Sequence, residues 1–170
     1  MELSVGKYIC MDFNRYLKEL EKQKRCVFLP FEIKSINLKN INKYVEKNVE
    51  FSRYNILYGN IGGGKSTIIK SIRGFTGVEG LLRDNQTSGE INLITSDSKR
   101  YHLDVYSSGV TKCLAVDNGG ERLDTSCYND FLYYLRHLDV QLILTIENMN
   151  IDRKELLDRA FPDCRFIQLN

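Results

Sequence analysis

The run Gly59-Asn60-Ile61-Gly62-Gly63-Gly64-Lys65-Ser66 spells G-x-x-x-x-G-K-[ST] in full, with Thr67 directly behind it. Each residue type at that spacing answers a need of a bound polyphosphate. Glycines let consecutive backbone N–H groups curl around phosphate oxygens without Cβ clashes. A helix opening near Lys65 turns its positive end toward the anion. The Lys65 ammonium reaches the β- and γ-phosphates, and the Ser66 hydroxyl is placed for Mg2+. Gly59, Asn60, Ile61, Gly62, Gly63, Gly64, Lys65, Ser66 and Thr67 are therefore the expected nucleotide-binding residues. A second metal partner is found further on: the apolar run Lys112–Val116 ends in Asp117, whose carboxylate can hold the water shell of the ion that Ser66 touches. Asp117-Asn118-Gly119-Gly120 also fits D-x-x-G, but no Asn-Lys-x-Asp base-reading motif follows the loop, which argues against a GTPase.

These residues need elements to hold them. Asn55–Tyr58 reads as a short apolar strand entering the loop, and Ser66–Arg73 as the helix leaving it, with Ile68, Ile69 and Ile72 on one side. Phe31–Leu38 and Val49–Phe51 read as strands. Glu90–Thr95 and Arg100–Val105 alternate across the polar turn Ser96–Lys99, a hairpin signal. Lys112–Val116 and Gln141–Thr145 are short buried-type strands, with a helix over Asp130–His137 between them. A helix at Arg153–Ala160 and a strand at Arg165–Leu169 close the chain. Strands alternating with helices predict an α/β fold, a P-loop three-layer sandwich with a largely parallel sheet plus an antiparallel hairpin. Ahead of it, Phe13, Tyr16, Leu17 and Leu20 recur at helical spacing from Asp12. That amphipathic helix either packs on its own domain or docks a partner. The expected division is 1–29 as N-terminal helix and extension, and 30–170 as the nucleotide-binding domain.

A chain of 170 residues fits one domain and buries roughly 70% of its unfolded surface without staples. Its 42% hydrophobic and 27% charged residues are those of a soluble globular protein. A net charge of +2 is too small to argue for a nucleic-acid or membrane surface. Five cysteines, an odd number and none at metal-ligand spacing, read as reduced thiols of a cytoplasmic protein. Nothing is apolar for long enough to span a membrane.

From about residue 31 onward the chain resembles the ATP-binding-cassette ATPases, and most of all their SMC and RecF-like branch, which acts on DNA and also occurs in phage defence. Ile33–Phe51 and Asn55–Thr67 are similar to the first strands and phosphate loop of that branch. Ser88-Gly89-Glu90-Ile91 resembles the strand after its first helix, Asp117 the acidic end of its second nucleotide motif, and Leu123-Asp124 its dimer-facing D-loop. Gln141–Asn148 resembles the strand leading to its switch position. The resemblance implies ATP and Mg2+, a homodimer or a complex with a partner protein, and contact with DNA. The departures bear on catalysis. Asn118 stands where the family places a catalytic Glu, and Glu147 where it places a switch His. Between Lys65 and Asp117 the chain is too short for the family's helical lobe and signature; Ser107-Ser108-Gly109 is at best a trace. Asp117, Asn118 and Glu147 are the catalytic candidates. The expectation is an ATPase with weak hydrolysis; the alternative is an ATP-binding regulatory or structural subunit without hydrolysis.

Overall fold

The computed structural model describes residues 12–60, 62, 64–73, 82–86, 89–95, 112–118 and 123–169. The elements run in the order α1 (Phe13–Lys22), β1 (Cys26–Leu29), β2 (Ile33–Ile41), β3 (Tyr44–Glu50), β4 (Tyr54–Tyr58), α2 (Lys65–Arg73), β5 (Glu90–Thr95), β6 (Cys113–Val116), α3 (Thr125–His137), β7 (Gln141–Ile146), α4 (Ile151–Ala160) and β8 (Arg165–Gln168).

Apolar strands joined by helical crossovers must lie parallel and be covered on both faces. Here β6, β7, β4 and β8 pair in parallel in the order β1-β6-β7-β4-β8, and β1 adds an antiparallel edge on β6. β6 and β7 are buried at every position. The period of two splits their side chains. Leu114, Val116, Leu142, Leu144, Ile146 and Ile56 meet α1, α3 and α4 in one core. Cys113, Ala115, Ile143 and Leu57 meet α2 and a second sheet in the other. That second sheet, ordered β3-β2-β5, is antiparallel and closes the third layer with Ile33, Ile36, Leu38, Val49 and Leu93. The α/β three-layer sandwich with a largely parallel sheet is as expected.

α1 spends its apolar stripe on its own chain: Phe13, Leu17 and Leu20 are buried, and Phe13 and Tyr16 meet the Phe131 ring of α3 at 5.3 and 5.4 Å. The helix ends in a Schellman turn. Lys24 takes φ 62°, its N–H donates to Glu21 O, and Arg25 N–H donates to Leu20 O at 2.8 Å. The turn feeds directly into β1, a strand that the sequence hides because four apolar residues after a charged run show no period. β5 pairs with β2; its expected hairpin partner, Arg100–Val105, lies outside the described residues.

The two sheets are stitched by one buried amide. Gln141, at the start of β7, accepts from Ile33 N–H at 2.7 Å and donates to Ile33 O at 2.8 Å and Ser52 O at 2.9 Å. Gln141→Leu keeps the volume but removes three hydrogen bonds, two of them to the buried Ile33 backbone. It should cost about 2–4 kcal/mol, a fall in Tm of about 5–12 °C for a domain of this size. Thermal unfolding followed by circular dichroism measures it, and a Tm within 1–2 °C of wild type would contradict the stitch.

Candidate functional site

α1, α3 and α4 begin with an Asp or Asn whose side chain accepts a backbone N–H: Asp12 from Arg15, Asp124 from Cys127, Asn150 from Arg153. α2 follows Gly64, which has no side chain to cap the helix. The loop before it holds Gly59, Gly62 and Gly64 at φ 147°, 82° and 95°. A side chain at Gly64 would be strained by the backbone and would have to displace the Tyr44 ring. L-residues rarely adopt its φ, and an added Cβ would stand 2.0 Å from the Tyr44 hydroxyl oxygen. Ile61 and Gly63 lie outside the described residues.

Lys65 is 6% exposed, and its ammonium donates to Gly59 O at 2.8 Å and Asn60 O at 2.7 Å. The side chain is thereby held against the loop it completes. Ser66 is exposed, and its hydroxyl donates to the Asp117 carboxylate at 3.0 and 3.3 Å. Thr67 is buried and its hydroxyl accepts from the Asn42 amide at 3.0 Å. Residues far apart in the chain thus converge because β4 and β6 both end at the same rim of the sheet.

Asp117 is held from several directions. Thr145 Oγ1 donates to it at 2.6 Å and accepts from Asn118 N–H at 2.7 Å. The Asp117 N–H itself donates to Arg25 O at 2.8 Å. Asn118 has φ 57°, a conformation Asn tolerates far better than most residues. Asn42, Lys43, Gly62, Gly64, Lys65, Ser66, Thr67, Asn118 and Glu147 line one cavity of about 280 Å³. Glu147 also borders a second cleft of about 670 Å³ with Gly59 and Asn60.

Three residues here are not site candidates on the sequence alone. Thr145 has a signal in hindsight: it is a lone hydroxyl in the buried run Leu142–Ile146, and odd positions of that strand face α2. Asn42 and Lys43 sit on the β2–β3 turn, where Asn40 and Asn42 both take positive φ. Asn-rich turns are common, so only the fold shows that this one overhangs the loop. Several other residues have structural uses. Asp124 caps α3, Leu123 packs against the core, and Arg73 donates to backbone carbonyls. Tyr134 is half-buried against Phe13. Burial pushes the Cys26 and Cys113 thiols well above their ordinary range. No group of three or more His, Cys, Asp or Glu that could hold a metal occurs among the described residues. No helix among them is long and apolar enough to cross a membrane.

A family model described as an AAA domain matches residues 35–158, well over half of the chain. The chain belongs to this family. The expected P-loop ATPase domain is thereby borne out at the level of this family. Its match begins after α1 and β1 and takes in the loop, Asp117 and Glu147. Among solved structures the AAA domain is similar to the SMC head domain from Thermotoga maritima, at 12% identity and a TM-score of 0.49, over 79% of this chain and 94% of that one. None of the curated proteins matches it.

Proposed function

We propose that this AAA domain, as an SMC/RecF-like member, binds ATP with Mg2+ in the Gly59–Thr67 loop and hydrolyses it slowly. The observation that carries the reading is that Lys65 and Ser66 line one cavity and that Ser66 reaches the Asp117 carboxylate at 3.0 Å. The donor set suits the metal: a hydroxyl and a carboxylate are hard oxygen ligands, and adjacent ligands of an octahedral Mg2+ stand about 3 Å apart. The Ser66–Asp117 distance of 3.0 Å is compatible with that. Bound there, the ion would neutralise charge on the β- and γ-phosphates. Lys65 uses two of its three N–H donors on the loop, which leaves the third for a phosphate oxygen. Thr145 keeps Asp117 turned toward Ser66.

Asp117→Asn tests the metal. Calorimetric titration of ATP with Mg2+ and with chelator should show affinity falling about tenfold in Mg2+ and little without it, the loss of one charge-assisted contact. An equal loss in both conditions would make Asp117 structural.

The reading includes a nucleotide-favoured association with a second copy or a partner protein, resting on the Leu123-Asp124 D-loop resemblance. Light scattering should give a larger mass with ATP than with ADP. Identical masses in both nucleotides, with native partners added, would favour a monomeric binder.

A further inference from the structure

The Ser66 hydroxyl and the Asp117 carboxylate sit on different elements, so something must fix α2 against the tip of β6. The phosphate loop is poorly suited to do so, since it is glycine-rich and joins α2 to β4 instead. Core packing of Ile68, Ile69 and Ile72 against Cys113 and Ala115 sets α2 on β6, and a chain of hydrogen bonds adds a second connection through β1. At the far end of α2, the Arg73 guanidinium donates to Cys26 O at 2.9 Å and to Glu21 O at 3.4 Å, which ties α2 to the start of β1 and the last turn of α1. A cation on the terminal carbonyls of α1 is also favourable to that helix dipole. β1 is in turn laddered to β6 along Cys26↔Val116, Val27↔Ala115, Phe28↔Leu114 and Leu29↔Cys113. The next residue on each side completes the ladder, because Asp117 N–H donates to Arg25 O at 2.8 Å. A closed circuit results: Ser66, α2, Arg73, Cys26, Arg25, Asp117 and back to Ser66 at 3.0 Å. Arg25 is itself pinned by the Schellman turn at Lys24, and α1 behind it is buried against α3.

We infer that α1 and β1, which precede the matched residues 35–158, brace the metal-binding carboxylate, and that Arg73 is the positioning residue that couples the brace to α2. The inference rests on the Mg2+-ATP reading above and adds to it a set of groups that touch neither ligand. The intact circuit presets the Ser66–Asp117 spacing that a bound cation would use; with the circuit cut, the pair loses that spacing and a cation would gain less.

Two measurements test it. Hydrogen exchange on the wild-type chain needs no variant. Mg2+-ATP should slow the amides of Arg25–Leu29 and of Asp117 more than ATP with chelator does. Protection confined to Gly59–Thr67, with residues 25–29 unchanged, would overturn the inference. The second is calorimetry of Arg73→Gln and Arg73→Lys with and without chelator. Arg73→Gln should shrink the Mg2+-dependent gain in ATP affinity by about three- to tenfold, the range in which coupling networks act, and leave the metal-free affinity in place. Arg73→Lys, which keeps a donor for one carbonyl, should restore part of the gain. An equal loss in both metal conditions would reduce Arg73 to a fold-stabilising residue. A wild type whose affinity ignores Mg2+ would overturn the metal reading and the brace together. A metal-dependent wild type with unprotected β1 amides overturns the brace alone.

Discussion

Lys65→Ala should raise the Kd for ATP by about 10- to 150-fold. That corresponds to the loss of one hydrogen bond between charged groups, about 1.5–3 kcal/mol. The geometry makes the upper half of the range the better expectation. Lys65 is buried to 6% exposure and already anchored on Gly59 O and Asn60 O, so little side-chain entropy remains to be lost when phosphate arrives. Removing it also leaves the Gly59 and Asn60 carbonyls without their donor. Lys65→Arg should not rescue binding: a planar fork is a poor substitute for a compact ammonium seated between two carbonyls. The fold should persist, because the α2 core contacts of Ile68, Ile69 and Ile72 are untouched. Calorimetric titration measures the affinity and circular dichroism the fold. Unchanged affinity in a folded Lys65→Ala variant would mean that the loop is not the site.

What the sequence revealed and what it hid follow from the range of the interactions. The loop is a local object: its glycines, lysine and hydroxyl are consecutive, so their chemistry can be read without a fold. The same holds for β6 and for Leu142–Leu144 of β7, whose apolar runs announce strands buried on both faces. Gln141 and Thr145 are different. Each is one polar residue in a buried strand, and their partners, Ile33 and Asp117, are remote in sequence. No period or propensity links them; only strand register and the parity of positions along β7 put Gln141, Ile143 and Thr145 on the face of α2. Arg73 is instructive in another way. On the sequence it is a charge at a helix end, indistinguishable from a solvated surface residue. In the fold it donates to two carbonyls across the chain. Lys43 likewise gains meaning only when the β2–β3 turn is folded over the loop.

Hydrolysis by the isolated chain should be slow, and Asn118→Glu should accelerate it. An attacking water must be oriented and relieved of a proton; the Asn118 amide can orient it but accepts no proton, whereas a carboxylate does both. A well-placed general base contributes about 10²–10⁴ in rate. The backbone sets the cost of that substitution. Asn118 takes φ 57° with its N–H on Thr145, and a residue other than Gly, Asn or Asp pays about 1–2 kcal/mol there. The variant should therefore be faster and less stable at once, a pairing that a purely structural position would not produce. Glu147 lines the same cavity and is the rival base. A carboxylate on this cavity would repel a bound triphosphate, so its main effect should be on binding: Glu147→Gln should tighten ATP and leave the slow turnover where it is. Single-turnover rates and ATP affinities for wild type, Asn118→Glu and Glu147→Gln separate these roles. Rapid wild-type hydrolysis that Glu147→Gln abolishes would transfer the base to Glu147. A rate unmoved by Asn118→Glu in a folded, ATP-binding variant would leave position 118 as a turn whose asparagine serves the backbone alone.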